Sequence, residues 1–284
     1  MTPVRLITLC CGALLAVACT KTATFTEPLG PRAAIHFVNA VPDTNQQDIH
    51  LVDIASNAGL YNAPFRASNM FYQGIEAGGH HFRAFEDSTD VVVASTILAD
   101  TTLTIAANAS YTLIHAGYLR TGQVPAHQLW FIPDTPPTPA AGQIAVRIIH
   151  AGAGMGNIDV NVVKHAVNPV TADSLPDTPM FSNLAYGTAG AYVSMPWDSL
   201  TTDSARVVVT ATGTKTVTFT LLLPLGIAGT STSNPIAGAR VAGSVMTAVV
   251  VPASVAGSHA PQGGLFANPN AVILVDRRPP NTAP

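Results

Sequence analysis

Histidine is the residue type in this chain whose placement could support chemistry. Of the nine histidines, His36, His50, His80 and His81 are the candidates for metal ligands, because neutral imidazoles bind zinc and copper well. Neighbouring residues on a strand point to opposite faces, so His80 and His81 cannot both face one ion without a bulge. His36 and His50 share the parity of nearby polar positions, which predicts that both face solvent. No spaced zinc motif such as His-Glu-x-x-His is present, so the sequence favours no metal site.

Two other patterns raise the question of catalysis or phosphate binding. Asp48 and Asp159 each stand at the start of a predicted strand, and paired carboxylates catalyse acid–base chemistry only within one cleft. Because they occupy equivalent places in separate repeats, we expect each to make the same turn-capping hydrogen bond. His150 precedes the glycine-rich residues 152–156, but residues 158–163 alternate like a strand and no Gly-Lys-Ser/Thr ending follows. A long hairpin turn is therefore predicted there.

The remaining candidates are weaker patterns. Residues 87–90 (DSTD) could touch a calcium ion, but they lack the regular oxygen spacing of a calcium loop and indicate a hairpin tip. A Gly-x-Ser-x-Gly elbow does not occur in the sequence, which disfavours a hydrolase of that type. Trp130 lies in an apolar strand and should be buried. Trp197, in a predicted loop, is the candidate for ligand binding, with a structural anchor under the loop as the alternative.

Short strands separated by turn residues must position these side chains. Residues 216–221 alternate polar and apolar, and the Val-rich residues 206–210 precede them across an Ala-Thr-Gly-Thr turn, which predicts a hairpin. Residues 80–85, 101–105 and 111–115 are further strand candidates. A sustained 3.6-residue apolar period with capping signals is not found. The sequence therefore predicts an all-β protein.

The body of the chain repeats itself. Residues 35–40 align with residues 146–151 at an offset of 111, and residues 48–52 align with residues 159–163 at the same offset. Each repeat closes on an apolar strand that is followed within three residues by a Pro-Pro pair. With turn signals every eight to twelve residues, this predicts two tandem immunoglobulin-like or transthyretin-like antiparallel β-sandwich domains.

The second repeat is longer than the first by about 31 residues. The Pro-rich stretch Asn168 to Asn183 and the Gly/Ser/Thr stretch Gly226 to Gly243 are the expected hosts of this insertion. Both are predicted to be surface loops.

Several of these motifs together resemble a known family. The opening block 35–52, the Ala-Gly turn at 77–78 and residues 111–117 (YTLIHAG) are similar to the DUF4397 domain. The resemblance covers residues 33–134 well and residues 144–276 more loosely. It implies a secreted bacterial β-sandwich, and it brings no catalytic residues with it.

The first nineteen residues carry an export signal. Arg5 supplies a positive start, residues 6–18 form an uncharged apolar run of 13 residues, and small residues precede Cys19. The run is shorter than the roughly 20 residues that a membrane-spanning helix requires. The segment resembles a bacterial lipoprotein signal, which implies that it is removed and that Cys19 is lipidated.

Composition limits the remaining possibilities. The other cysteines, Cys10 and Cys11, lie within the signal, so a chain that begins at Cys19 has neither a disulfide nor a cysteine zinc site. Charged residues make up 10% of the chain, against roughly 25% in typical soluble domains. The sequence contains no basic cluster, which argues against nucleic acid as a partner and against electrostatic docking on a membrane.

These features combine into one prediction for the whole chain. The segments are a signal peptide (1–18), a flexible tether (19–32), a first sandwich (33–134), a Pro-rich linker (135–143), a second sandwich (144–278) and a tail (279–284). We expect a non-enzymatic lipoprotein without a cofactor, at the outer membrane or cell surface, that has a structural role or binds a protein or glycan through its loops. The alternative is an extracytoplasmic enzyme or accessory module with a histidine-based metal site.

Overall fold

The computed structural model describes residues 30–54, 58–165, 174–196 and 204–281, so the signal segment, Cys19 and Trp197 lie outside the described residues. The first half forms the elements β1 (Arg32–Ala40), β2 (Gln47–Leu51), β3 (Gly59–Ala63), β4 (Gln73–Glu76), β5 (Gly78–Glu86), α1 (Val91–Ala94), β6 (Ile97–Ile105), β7 (Ser110–Ala116) and β8 (Gln128–Asp134). The strands make two sheets, inner sheet 1 in the order β4-β1-β7-β8 and outer sheet 1 in the order β3-β2-β5-β6.

The second half has the same topology. It forms β9 (Gln143–His150), β10 (Ile158–His165), β11 (Phe181–Leu184), β12 (Val193–Pro196), β13 (Ser204–Ala211), β14 (Val217–Leu222), β15 (Val245–Val251) and β16 (Asn270–Arg277). Inner sheet 2 has the order β12-β9-β15-β16, and outer sheet 2 has the order β11-β10-β13-β14. Each strand of the first half therefore corresponds to the strand eight places later. The prediction of an all-β chain with two sandwiches is confirmed.

Each sandwich encloses a core between its inner and outer sheets. On β1, Ile35 and Phe37 are fully buried in the first core, and on β9, Val146 and Ile148 are fully buried in the second. Because side chains alternate along a strand, the residues between them lie on the other face of each inner sheet. That second face is also covered.

The two inner sheets pack on each other. The shared apolar cluster contains residues from both sheets and from the adjoining loops, namely Val38, Ala40, Phe65, Ile114, Ala116, Ile149, Ala151, Val249, Val251, Ala260 and Leu274. We call the region between the inner sheets the junction. At its centre β1 pairs with β7 in parallel, and β9 pairs with β15 in parallel. Parallel strands are typically buried on both faces, as these are. The order of layers is outer 1, inner 1, inner 2, outer 2.

The two sandwiches share their ends as well as their faces. We call the end at which β1 and β9 begin the proximal end, and the opposite end the distal end. At the distal end, Val255 N donates to Pro42 O over 2.9 Å and the Tyr118 hydroxyl donates to Ala153 O over 3.0 Å. Arg66, just after β3, donates to Pro252 O over 2.7 Å. Loops of the two halves are thus bonded to each other.

Of two further local predictions, one is confirmed and the other is wrong in part. The Ala-Thr-Gly-Thr turn joins β13 to β14 in an antiparallel hairpin. The glycine-rich residues after His150 form a turn that is followed by strand β10, but this is not the predicted hairpin turn, because β9 lies in inner sheet 2 and β10 in outer sheet 2. A phosphate-binding loop of this kind opens a helix, whereas a strand follows this turn.

The two inserted stretches are only partly surface loops. The first ends inside β11, where Phe181 is 6% exposed, and β11 pairs with β10 at the edge of outer sheet 2. The second contributes Ala239, which is fully buried in the second core. The prediction of surface loops is wrong at these residues, because apolar side chains of both stretches close the second sandwich.

The linker is bonded to the last strand. Arg277, at the end of β16, donates to Thr138 Oγ1 over 2.7 Å and to Pro137 O over 3.4 Å.

Within the part of the chain that the structure describes, no helix has the length and apolar character needed to cross a bilayer.

Candidate functional site

A buried polar cluster lies in the junction, near its proximal end. Arg147 Nη2 on β9 is 2.7 Å from Asp134 Oδ1, at the end of β8. His36 Nε2 on β1 is 3.5 Å from Asp276 Oδ1 on β16. All four side chains are at most 4% exposed. Since β1 corresponds to β9 and β8 to β16, each half gives one nitrogen base and one carboxylate to the other in a reciprocal arrangement.

Tyr72 completes the first half of this cluster. Its hydroxyl donates to Asp134 Oδ2 over 2.9 Å, and its ring stacks on His36 with centroids 3.8 Å apart. Thr112 donates to the same carboxylate oxygen over 2.7 Å. Burial, followed by the negative charges of Asp276 and Asp134, raises the pKa of the Tyr72 hydroxyl far above its usual value. Tyr72 therefore remains a neutral hydrogen-bond donor.

Tyr192 occupies the corresponding position in the second half. Its hydroxyl donates to Asp276 Oδ2 over 3.0 Å, and the Arg147 guanidinium lies 4.6 Å from the centre of its ring. Thr247 donates to Asp276 Oδ2 over 2.5 Å and accepts from Arg147 Nε over 3.0 Å. Burial opposes the charge of Arg147, but Asp134 and the other neighbouring acids outweigh it and raise the pKa of this residue.

The cluster is arranged to hold the sandwiches together. Each carboxylate accepts hydrogen bonds from a tyrosine and a threonine. Asp134 also faces the guanidinium of Arg147, which compensates its buried charge, and Asp276 faces the imidazole of His36. A cleft of about 430 Å³ opens beside it, lined by Arg147, Tyr192, Thr135 and Pro137 among others. The Arg147 guanidinium is directed at Asp134 and Thr247, so its hydrogen bonds point into the junction.

His80 and His81 lie on opposite faces of β5, as predicted. His80 is 6% exposed, with Nδ1 3.2 Å from Asp53 Oδ2 and Nε2 3.0 Å from Glu76 O. His81 contacts Asp100 on the neighbouring strand β6. Each imidazole therefore has a carboxylate partner of its own.

The other two predicted histidines lie apart from this pair. His50, half-buried on β2, stacks between Tyr61 and Phe85 with ring centroids 5.1 and 5.5 Å away. His36 is fully buried, so the prediction that it faces solvent is wrong. The polar face of β1 was assigned correctly, but inner sheet 2 covers that face. In the four described ranges, no group of three or more His, Cys, Asp or Glu side chains is placed to hold a metal.

The two matched aspartates make equivalent hydrogen bonds. Asp48 Oδ1 accepts from Asn62 N over 2.7 Å, and Asp159 Oδ1 accepts from Asn183 N over 2.7 Å. Both asparagines have a left-handed backbone, with φ of 47° and 52°. Asp159 also accepts from Gly213 N over 2.8 Å through Oδ2. The carboxylates cap irregular positions of neighbouring strands and do not meet in one cleft.

Replacing Asp159 with alanine is expected to lower the free energy of unfolding by about 1–3 kcal/mol, because two backbone N–H groups lose their acceptor. The matched variant Asp48→Ala removes one bond at an exposed site and is expected to cost about 1 kcal/mol or less. Urea denaturation at pH 7 measures both values. Equal losses for the two variants would contradict the structural role that we assign to the second bond.

A histidine pair that the sequence did not predict lies at the distal end. His115 Nδ1 is 2.6 Å from Gln47 Oε1, and its Nε2 is 3.2 Å from His127 Nδ1. Because an amide oxygen only accepts, His115 Nδ1 carries the proton and Nε2 accepts from His127. Complete burial, followed by the nearby His127, lowers the pKa of His115 to about 3. His115 lies an even number of residues from the core residues of β7, so it shares their face of the strand. This spacing could have predicted its burial.

The acidic tip and the described tryptophan have structural roles. Asp90 Oδ1 accepts from Val92 N over 2.8 Å and caps α1, in the connection between β5 and β6. Trp130 is half-buried, with its ring edge-on to that of Tyr186 at a centroid distance of 4.9 Å. It lies against the junction, so the prediction that it is buried holds in part.

Exposed apolar side chains mark the distal end. Val91 and Val92 on α1, Val124 between β7 and β8, and Leu265 between β15 and β16 are 79%, 73%, 80% and 82% exposed. They are the four most exposed large apolar side chains in the ranges that the structure describes. All three connections leave strands at the distal end, so these side chains belong to neighbouring layers of the same end.

Comparisons with solved structures find proteins that are similar to this chain at low identity. A search of solved structures finds a proposed cell adhesion protein from Parabacteroides distasonis, at 8% identity over 88% of this chain and 99% of that one, with a TM-score of 0.24. It also finds a proposed adhesin from Bacteroides ovatus, at 8% identity over 87% and 96% of the two chains, with a TM-score of 0.26.

No curated protein matches the chain. The family model for a domain of unknown function, DUF4397, matches residues 33–161. The match includes the whole first sandwich and continues through the first strand of the second sandwich into β10, beyond the predicted boundary at residue 134. The looser resemblance of the second half stays a prediction. The chain therefore carries a DUF4397 domain over residues 33–161.

Proposed function

We propose that this chain is a non-enzymatic, lipid-anchored protein of the cell envelope that binds a protein partner through its distal loops. The observation that carries the proposal is the placement of the four most exposed large apolar side chains on three distal connections. Exposed apolar groups that share one surface mark interaction sites in soluble domains. The side chains are aliphatic, which suits an apolar protein surface better than a sugar ring.

The anchor gives this surface its direction. Cys19 is the proposed lipidation site, and the chain enters the first sandwich at the proximal end, where β1 begins at Arg32. The distal loops therefore lie at the end farthest from the point where the tether joins. The buried ionisable groups of the junction support a non-enzymatic role, because the contacts of Arg147 with Asp134 and of His36 with Asp276 join the two sandwiches.

Site-specific photo-crosslinking in intact cells tests the binding surface. A photoreactive residue at Val124 or at Leu265 is expected to capture the same protein, and the matched probe at Thr102, exposed on β6, is expected not to capture it. Replacing both Val91 and Val92 with serine should reduce capture from Val124 about tenfold, because apolar area is lost from the contact.

The outcomes of this experiment separate the two parts of the proposal. Equal capture from Thr102 and Val124 would show that the distal loops are not the binding surface. A Cys19→Ser variant is expected to leave the membrane fraction, and its retention there would contradict the anchor without affecting the crosslinking result.

A further inference from the structure

The second inserted stretch forms an ordered hairpin at the proximal end. We call residues 225–238 the proximal hairpin. Ile227 N donates to Ile236 O over 3.0 Å, and Ile236 N donates to Ile227 O over 2.8 Å. A side chain at Gly238 would place its Cβ 2.1 Å from Gly226 N, so only glycine allows the two arms to approach this closely. Asn281 donates to Thr230 O over 3.1 Å near the tip of the hairpin.

The surface of this hairpin is apolar and uncharged. Leu225, Ile227 and Ile236 are 44%, 63% and 50% exposed. The sequence contains no charged residue between Lys215 and Arg240. Hydroxyl side chains of serine and threonine form the tip. An ordered, uncharged hairpin with three exposed branched side chains is costly to leave in water and suits an apolar partner.

Basic residues stand at strand ends of the proximal end. Six of them come from different parts of the sequence, namely Arg32, Lys164, Arg206, Arg240, Arg277 and Arg278. Of these, Arg32, Lys164, Arg277 and Arg278 are exposed, as are the acidic residues Asp53 and Glu76 at this end within the described ranges. The sequence shows no basic cluster, because these residues are far apart along the chain.

The tether places a bilayer within reach of this end. Between the proposed lipidated Cys19 and Pro31 lie the eleven residues 20–30, which span at most about 40 Å when fully extended. The chain joins the first sandwich at the same end that carries the proximal hairpin. An anchored chain therefore keeps the hairpin close to the membrane. The tether raises the effective concentration of the hairpin at the bilayer.

We propose that the proximal hairpin rests on the lipid bilayer that holds the anchor, with Leu225, Ile227 and Ile236 among the lipid headgroups. This inference depends on the proposed lipid anchor. Branched apolar side chains enter the headgroup region, and the exposed arginines of the proximal end, Arg32, Arg277 and Arg278, pair with anionic headgroups. The contact orients the sandwiches so that their distal loops point away from the membrane.

Depth-dependent fluorescence quenching tests this contact. The full chain, processed and lipidated by the expressing cells, is prepared as Ile227→Cys or Val124→Cys and labelled there with an environment-sensitive dye. The native thiols do not interfere, because Cys10 and Cys11 leave with the signal and Cys19 carries the lipid. In vesicles of phosphatidylcholine and phosphatidylglycerol, nitroxide lipids should quench the dye at 227 at least about fivefold more strongly than at 124.

Vesicle flotation, measured on the same samples, distinguishes the possible failures. A chain that floats with the vesicles but shows equal quenching at 227 and 124 overturns the hairpin contact and leaves the anchor intact. A chain that does not float overturns the anchor and, with it, this inference. Quenching at 227 should fall when phosphatidylglycerol is omitted, and an unchanged value would overturn the role of the arginines.

Discussion

Replacing Arg147 with alanine is expected to lower the free energy of unfolding by about 3–5 kcal/mol, because Asp134 would keep a buried charge without its partner. The side chain of Asp134 is fully buried, and its other oxygen is bonded to two neutral hydroxyl groups. Urea denaturation followed by circular dichroism measures the loss. The double variant Arg147→Met, Asp134→Leu should recover most of it, because it removes both charges together.

The matched control for this experiment is an ion pair on the surface. Arg83 Nε is 2.9 Å from Asp100 Oδ2 on outer sheet 1, with both side chains about one-third exposed or more. Arg83→Ala is expected to change the free energy of unfolding little, since water screens the exposed pair. A loss for Arg147→Ala no larger than that for Arg83→Ala would show that the junction does not depend on its buried pair.

Acid is expected to destabilise the protein through His115. Its pKa in the folded chain is about 3, below the value of about 6.5 in an unfolded chain, so below pH 6.5 the unfolded state binds a proton that the folded state does not. Stability is therefore complete above pH 6.5 and falls as the pH drops toward 3. Between pH 7 and pH 4 this one residue should remove about 3 kcal/mol.

The variant His115→Gln isolates this contribution from that of the carboxylates. Its free energy of unfolding should fall less than that of the wild type between pH 7 and pH 4, and the difference between the two slopes gives the His115 contribution. His259→Gln, at an exposed position between β15 and β16, is the control variant for the replacement of a histidine. Parallel slopes for His115→Gln and the wild type would refute the proposed titration.

Local patterns in the sequence predicted the sandwiches well. The alternation of residues 216–221 and the turn before them predicted the β13–β14 hairpin. The repeat at an offset of 111 predicted that β1 and β2 are equivalent to β9 and β10. These signals work because the period of a strand and the chemistry of a tight turn are properties of neighbouring residues. The parallel pairing of β1 with β7 has no such local signal.

The junction could not be predicted from the sequence. The alternation of β1 correctly separates His36 from Ile35 and Phe37, but a polar residue in that pattern normally faces water. Only the stacking of inner sheet 2 on that face makes His36 a partner of Asp276. The repeat aligns His36 with Arg147, so the sequence could have shown that these two nitrogen bases are equivalent. It could not have shown which acidic residues they contact.

The arrangement of strands also affects how the chain folds. Ala34 pairs with Ser110 across 76 residues, Ala145 pairs with Val245 across 100, and His36 meets Asp276 across 240. Contacts between such distant positions carry a large loop-closure entropy and slow folding. During synthesis, the amino-terminal strand therefore has no partner for its buried histidine until nearly the whole polypeptide has left the ribosome, and that strand must remain protected from aggregation until then.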